Sequence, residues 1–546
     1  MGAELRAETL GRVARRDKQI AVPVRPALRK GVRLRRSGDA VMLDGADKRQ
    51  AFTGKFARES LGRLAAACDG NATHADLAAS VGLSEAVVHK SLALLWASGA
   101  LEEGASEAPE EGAAPGDVPA VEPELACLLS RLGNSTGANL SWTDAAARLS
   151  RAAVHVAGDK SVAEATASCL EGVCEVVGDI DRLPVDVADD ALVVFFETRR
   201  SRPELAELQH RCWLEKRPLL RVRADGTSMT LGPYVDPAST PCLECGVSGE
   251  DDPDGDPPQH AHDLIAGLVA HHVLALFSRS VRTYLPLDAG IVDLATLATR
   301  YRPSATRPGC PTCSFSEGTT APVPPSSALY EASVALPVRR FLDPGGHLAH
   351  FQSSNIKLQW EFRDWPGCPR VALPEADVSR LAGEPPEAAD PVDLRRPDVA
   401  LMLAVAFGIR ERSDGWVQRW TAAGGNIGSA TAYVVSRDEN VLPVGGYAYR
   451  EADHELAQLT TDALPGEKPL LLVVTANLKK MAAKYGTFGL RLALCDGGCG
   501  LSAARRVADH LNLDFSLVTD WDDHLLSEYL GLSPAEEPVA AVMEVG

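Results

Sequence analysis

Two short cysteine clips constrain this chain more than any other feature: Cys242-Leu243-Glu244-Cys245 and Cys310-Pro311-Thr312-Cys313, with a long apolar run between them. Two C-x-x-C pairs supply four thiolates at knuckle spacing, which closes a tetrahedral zinc site and leaves no coordination position open for chemistry. Cys242, Cys245, Cys310 and Cys313 are therefore read as ligands of a structural Zn2+. Each clip sits in turn chemistry, after Thr240-Pro241 in one case and Arg307-Pro308-Gly309 in the other. The metal would staple two loops of one domain. A single clip could be a redox pair or chance spacing; two in one domain favour metal.

A chain of 546 residues is too long for one core, so several domains are expected. No run of eighteen or more apolar residues occurs, and the Arg- and Glu-rich start has no continuous apolar segment. Neither a membrane span nor a signal peptide is expected, which places the protein in the cytoplasm. The cysteines outside the clips are scattered through apolar context, the usage of a reduced intracellular protein. A formal charge of −19 argues against general nucleic-acid affinity, yet residues 1–60 carry an excess of Arg and Lys. A basic front on an acidic body points to an acidic partner.

Residues 32–52 alternate in the manner of three short antiparallel strands. Helical periodicity follows over Glu59–Ala67, Thr73–Ala79 and Ser84–Ala97, the last two opened by a capping hydroxyl. Thr73–Ser84 has helix-turn-helix grammar, so residues 1–101 read as a winged helix-turn-helix. As a DNA reader the second helix is poor in cations, offering only His89 and Lys90. The module resembles instead the peptide-recognition element of enzymes that modify ribosomally made peptides, in which a leader peptide adds as a strand beside the wing. A strand edge at Lys48–Gly54 and an apolar groove along Val87–Leu95 would supply that site, with Arg49, Phe52, Val88 and Leu92 as peptide contacts. A DNA-binding regulator and a purely structural module are the alternatives. Residues 102–122, rich in Glu, Ala, Pro and Gly, read as a flexible acidic linker.

From Pro123 the chain alternates strands and helices: Ala152–Gly158, Val162–Leu170, Cys174–Val177, Ala191–Phe196 and Leu219–Val222, the pattern of an α/β parallel sheet. The turn after its first strand, Gly158-Asp159-Lys160-Ser161, has one glycine followed by an acid, so a phosphate cradle is missing. A long helix, His260–Arg279, lies between the clips. Its His271-His272 pair diverges by about 100° around a helix, which disfavours a shared metal. With Gly232-Pro233, Pro241-Cys242-x-x-Cys245 and Pro308-Gly309-Cys310-Pro311-x-Cys313, residues 123–319 resemble the ThiF-like partner protein of azole-forming cyclodehydratases (thiazole/oxazole-modified microcins). That resemblance implies the fold of ubiquitin-activating enzymes, a retained zinc, lost ATP binding, and presentation of a leader peptide to a separate YcaO-type cyclodehydratase. An adenylating enzyme is disfavoured by the missing glycines.

Residues 320–394 read as a linker and an irregular start to the last domain, 395–546. There an apolar helix, Asp398–Arg410, precedes Arg419-Trp420-Thr421-Ala422-Ala423-Gly424-Gly425, a strand at Ala432–Val435, a buried strand at Leu470–Ala476, and Ala483-Lys484-Tyr485-Gly486-x-x-Gly489-x-Arg491. Taken alone, Lys-Tyr-Gly is an ordinary helix C-terminus with Gly as the stop. With the upstream loop and the terminal Tyr529–Pro538 pattern, the segment resembles nitroreductase-like, FMN-dependent dehydrogenases of the SagB type, which oxidise azolines to azoles. The resemblance implies an α+β fold, a homodimer through this domain, FMN held by Arg419, Thr421, Gly424, Gly425 and Arg491, and Lys484 and Tyr485 as base and proton relay. Two departures stand out. The Arg-Ser-x-Arg phosphate signature has no match better than Arg339-Arg340 or Ser379-Arg380. Asp496-Gly497-Gly498-Cys499-Gly500 replaces a region where the family often has a His, and its glycines are expected to weaken the helix start.

The sequence thus predicts a three-module α/β chain that binds a leader peptide, partners a cyclodehydratase and makes azoles with FMN. A non-catalytic scaffold with a degenerate last domain is the competing expectation.

Overall fold

The computed structural model describes residues 6–15, 20–46, 50–104, 121–133, 136–184, 190–251, 258–335, 357–383, 391–413 and 416–546. They belong to two units, Met1–Ala349 and His350–Gly546, each mixed in helix and strand.

In the first unit, helix α1 (Ala7–Ala14) and strand β1 (Pro26–Leu28) precede the alternating stretch, which forms an antiparallel sheet of β2 (Arg33–Ser37), β3 (Ala40–Asp44) and β4 (Gln50–Phe52) with β3 in the middle. Helices α2 (Gly62–Ala67), α3 (His74–Val81) and α4 (Glu85–Ala97) follow. Thr73 and Asp76 make a reciprocal capping box at the start of α3, and left-handed Gly82 ends it. The inward residues of the sheet and of the three helices share one core, including Leu43, Leu64, Leu77, Val88 and Leu92.

Glu102, where the flexible linker was expected to begin, lies instead in strand β5 (Leu101–Glu103), which pairs with β1. Its carboxylate is buried and accepts from Ser130 Oγ at 2.5 Å, Trp142 N at 3.1 Å and Arg29 Nη1 at 3.3 Å. These partners are remote in sequence, so local composition could not reveal them.

Helices α5 (Pro123–Leu132) and α6 (Trp142–Arg151) lead into β6 (Ala153–Gly158), α7 (Lys160–Leu170), β7 (Glu175–Val177), β8 (Ala191–Glu197), α8 (Arg202–Leu214) and β9 (Leu219–Asp225). The expected parallel pairing holds for β7-β6-β8-β9. Gly226, at φ 56°, then turns the chain into β10 (Ser228–Val235), antiparallel to β9. After α9 (Leu243–Gly246) and α10 (His262–Ser278), β11 (Asp288–Asp293) and β12 (Thr299–Pro303) complete a seven-stranded mixed sheet. Among the described residues, Gln259–Ser278 is the one helical stretch long and apolar enough to cross a membrane, and its Ile265, Val269, Val273 and Phe277 lie in the core with α6 and α7. Helix α11 (Ser326–Ser333) follows.

The second unit begins its structure before residue 395. A short turn, Leu358–Trp360, packs Leu358 on Ile427 and Met481, and β13 (Arg370–Ala372) supplies an edge strand. Helix α12 (Arg396–Phe407) stops three residues short of the expected Arg410: a Cβ at Gly408 would strike the Ala404 carbonyl, and Ile409–Ser413 becomes β14, paired with β15 (Trp416–Arg419). Strands β16 (Ala430–Ser436), β17 (Gly445–Arg450), β18 (Glu455–Thr460) and β19 (Leu470–Ala476) lead to helices α13 (Leu478–Tyr485) and α14 (Gly489–Leu511). Then come β20 (Phe515–Val518), α15 (Asp523–Leu530) and β21 (Val539–Val545). The seven-stranded antiparallel sheet runs β13-β18-β17-β16-β19-β21-β20. Helices α12 and α14 cover one face and α15 the other, so β19 is buried on both sides and reads as an unbroken apolar run.

The glycines around Cys499 do not weaken a helix start. They lie in the middle of α14, where Gly500 sits against the Phe407 ring and Gly497 against Val474 and Ala540. At Gly500 a Cβ would strike the Phe407 ring, so packing there needs bare backbone, which offsets the cost of glycine.

Candidate functional site

The two clips meet as the spacing requires. Cys242 precedes α9, and the Cys245 amide donates to the Cys242 carbonyl at 3.1 Å; the Cys310 amide donates to Arg307 O, also at 3.1 Å. These turns aim all four Sγ atoms inward, within 4.8 Å of one another. Cys242–Cys310 and Cys245–Cys313 are 3.7 and 3.6 Å apart. A zinc tetrahedron with Zn–S bonds of about 2.3 Å has sulfur–sulfur edges of about 3.8 Å, so the donor set fits Zn2+ in type, number and spacing. Arg307 adds an outer layer, its amide and Nε lying 3.4 and 3.5 Å from Cys245 Sγ. Among the described residues this is the one cluster of His, Cys, Asp or Glu placed to hold a metal. His272 is committed elsewhere: its Nδ1 lies 3.0 Å from Thr283 Oγ1, and burial pushes its pKa down to about 4.

The turn after β6 is filled by the protein. Asp159 caps α7 by accepting from Val162 N at 3.2 Å, placing a carboxylate where a phosphate would sit.

In the second unit a glycine turn, Gly424–Ser429, gathers most of the expected residues. Gly425 has φ 60°, and a Cβ there would run into Lys484 Nζ and Tyr485 Oη. Both side chains come from the last turn of α13, with Lys484 Nζ 4.9 Å from the Tyr485 ring centroid. Bare backbone thus meets an ammonium and a hydroxyl, a donor pair suited to the polar edge of a planar ligand such as a flavin. Gly424 N donates to Asp496 Oδ1 at 2.7 Å. Thr421 Oγ1 donates to Ala406 O at 3.3 Å, and half-buried Arg491 lies on the first turn of α14.

Arg419 is placed differently from a phosphate clamp. Its side chain is 5% exposed, pairs with Glu451 at 3.2 Å and donates to Asn426 O at 3.2 Å. It braces the turn from below. Sequence reasoning missed its companion Lys480, one helical turn before Lys484. Lys480 is buried, donates to Gly428 O at 3.1 Å, and is pushed down to about 8 by desolvation, against the pull of Glu451. Burial in turn raises the Glu451 carboxyl, opposed by Arg419. Gln359, in the stretch read as linker, accepts from Asn426 Nδ2 at 3.0 Å. The i,i+4 spacing of Lys480 and Lys484 was the one available signal, since it sets both on one helix face.

Of the residues expected to touch a peptide, Phe52 is 7% exposed and Val88 and Leu92 are wholly buried in the core of the first module. They hold the module together rather than line an open groove. Arg49 lies outside the described residues.

No family model matches the chain, and no curated protein matches it. Solved structures do. The heterocyclase TruD is 17% identical over 54% of this chain and 43% of its own, with a TM-score of 0.40. MccB of E. coli is 12% identical over 54% of this chain and 98% of its own, at 0.41. A protein described as a nitroreductase, from Ralstonia eutropha, is 21% identical over 32% of this chain and 88% of its own, at 0.27. This chain spans less than half the length of the heterocyclase. Likenesses this distant carry no functional statement.

Proposed function

We propose that this chain works in the biosynthesis of an azole-containing peptide made from a ribosomal precursor. The first unit recruits the precursor's leader region and docks a YcaO-type cyclodehydratase, with Zn2+ on Cys242, Cys245, Cys310 and Cys313 holding its loops. The second unit oxidises azolines to azoles. The observation that carries this reading is the convergence of the Lys484 ammonium and Tyr485 hydroxyl on the bare backbone of Gly425, joined to the motif resemblance of that segment.

FMN bound beside the turn would supply the hydride acceptor. Lys484 is the group assigned to take the proton from the azoline ring carbon, with Tyr485 as its proton relay. Lys480 and Arg419 hold the carbonyls of Gly428 and Asn426, so the turn is braced by the chain itself. Arg419, Thr421 Oγ1 and the Gly424 amide direct their donors internally, so the proposed cofactor contacts narrow to Gly425 and Arg491. The leader peptide is assigned to the edge of β4, with the second unit working as a dimer.

That same commitment of Arg419 favours a second reading, a leader-binding scaffold whose last domain has lost its chemistry. An absorption spectrum and metal analysis of the purified, desalted protein separate the two. A flavin spectrum with FMN released on denaturation, and one zinc per chain, supports the dehydrogenase. Zinc without flavin after soaking in FMN leaves the scaffold. Lys484→Ala and Tyr485→Phe should retain leader binding and abolish azole formation; full azole yield in both would remove the catalytic assignment.

A further inference from the structure

Asp496 lies at 7% exposure in the middle of α14, on the face turned toward the glycine turn. Its two oxygens do different things. Oδ1 accepts from Gly424 N at 2.7 Å and Oδ2 accepts from Ser429 Oγ at 2.6 Å. One carboxylate therefore ties the first and last residues of Gly424–Ser429 to one point on a long helix. Ile427, between them, is fully buried against Met481 and Ala493, and Gly428 is left-handed at φ 70°. Arg419 and Lys480 hold the carbonyls of Asn426 and Gly428. The Gly424 amide, just before the left-handed Gly425, depends on Asp496.

We propose that Asp496 is the positioning residue of this site: its carboxylate pins both ends of the turn so that Gly425 is held against Lys484 and Tyr485. Two helices grip one turn, α13 through Lys484 and Tyr485 and α14 through Asp496. They are themselves in close register, since a Cβ at Gly489 would lie 3.0 Å from Met481 and Ala482 backbone atoms. A carboxylate suits the task because it only accepts and can serve two donors at once. Asparagine, of the same size, offers one acceptor and turns an N–H toward the second donor. The proposal rests on the dehydrogenase reading for its ligand, but not for the tether itself.

The test uses the whole 546-residue, zinc-loaded chain with Asp496→Asn and Ser429→Ala, the latter cutting one of the two ties. Hydrogen exchange of the peptide spanning 421–430 is followed without flavin, and FMN affinity by fluorescence quenching. Loss of a charge-assisted bond predicts exchange at Gly424–Gly425 about tenfold faster and FMN binding about tenfold weaker in Asp496→Asn, with a smaller effect of the same sign in Ser429→Ala. A purely structural role would instead lower the melting temperature and leave flavin affinity unchanged in the folded fraction. Unchanged exchange in both variants overturns the tether. Faster exchange with unchanged FMN affinity overturns the positioning role. If wild-type protein binds no FMN, the dehydrogenase reading and the positioning role fall together, and the exchange result still decides the tether. Should Asp496→Asn fail to fold, Ser429→Ala decides alone on both readouts.

Discussion

Burial of the Lys480 ammonium against the Gly428 carbonyl lowers it to about 8 from an ordinary 10.5. The folded chain then binds fewer protons than the unfolded one between those values, so this group's contribution is fully present above pH 10.5 and lost as pH falls through 8. Unfolding free energy should rise with pH across that window by roughly 3 kcal/mol from this group. In Lys480→Met the rise should flatten, as read by urea unfolding at both ends of the window; an identical slope would sink the assignment. At Gly425 the constraint is steric. Gly425→Ala forces a side chain into φ 60° and into Lys484 and Tyr485, so it should cost about 1–2 kcal/mol and lose FMN binding, whereas wild-type affinity would show that the convergence is not the site. Neither residue pairing was legible as geometry in the sequence. Lys484, Tyr485 and the glycines were singled out through the motif resemblance of their segment, whereas Lys480, Glu451 and Asp496 gain their meaning from neighbours remote in the chain.

Elements whose local apolar pattern matches their burial were legible. Leu470–Ala476 is a strand to the residue, and α4 and α7 lie within two residues of their expected bounds, because local pattern and burial agree there. Elements decided by a single distant contact were not. Strand β5 looked like acidic linker because what holds it, its pairing with β1 and the contacts of Glu102 to Arg29, Ser130 and Trp142, is remote in sequence. Arg29→Ala would leave that carboxylate buried without its counter-charge, held by Ser130 and Trp142 alone, at a cost of about 3–5 kcal/mol read as a lower melting point, while Arg29→Met with Glu102→Leu should cost less. An unmoved melting point in Arg29→Ala would mean the pair contributes nothing. Gly500 makes the same point from the other side, since helix propensity alone disfavours it and the approach of the Phe407 ring selects it.

Across the whole molecule the two units should melt as two transitions in calorimetry, because each has its own cores. Stripping zinc with a chelator should lower only the transition of the first unit, which holds all four clip cysteines, since folding and metal binding are coupled there. A shift in both, or in neither, would remove the structural metal from the account. By itself the sequence determined the four-cysteine site, the α/β alternation after Pro123, and the apolar strands and helices. Those depend on residue type and short-range spacing. Only the tertiary structure decided that the parallel sheet turns antiparallel at Gly226, that Phe52, Val88 and Leu92 are core, that Arg419 answers Glu451, and that Asp496 and Lys480 hold the glycine turn. Each of these depends on which groups are buried together, and burial of a charge or a bare backbone is settled by the partner that folding brings to it.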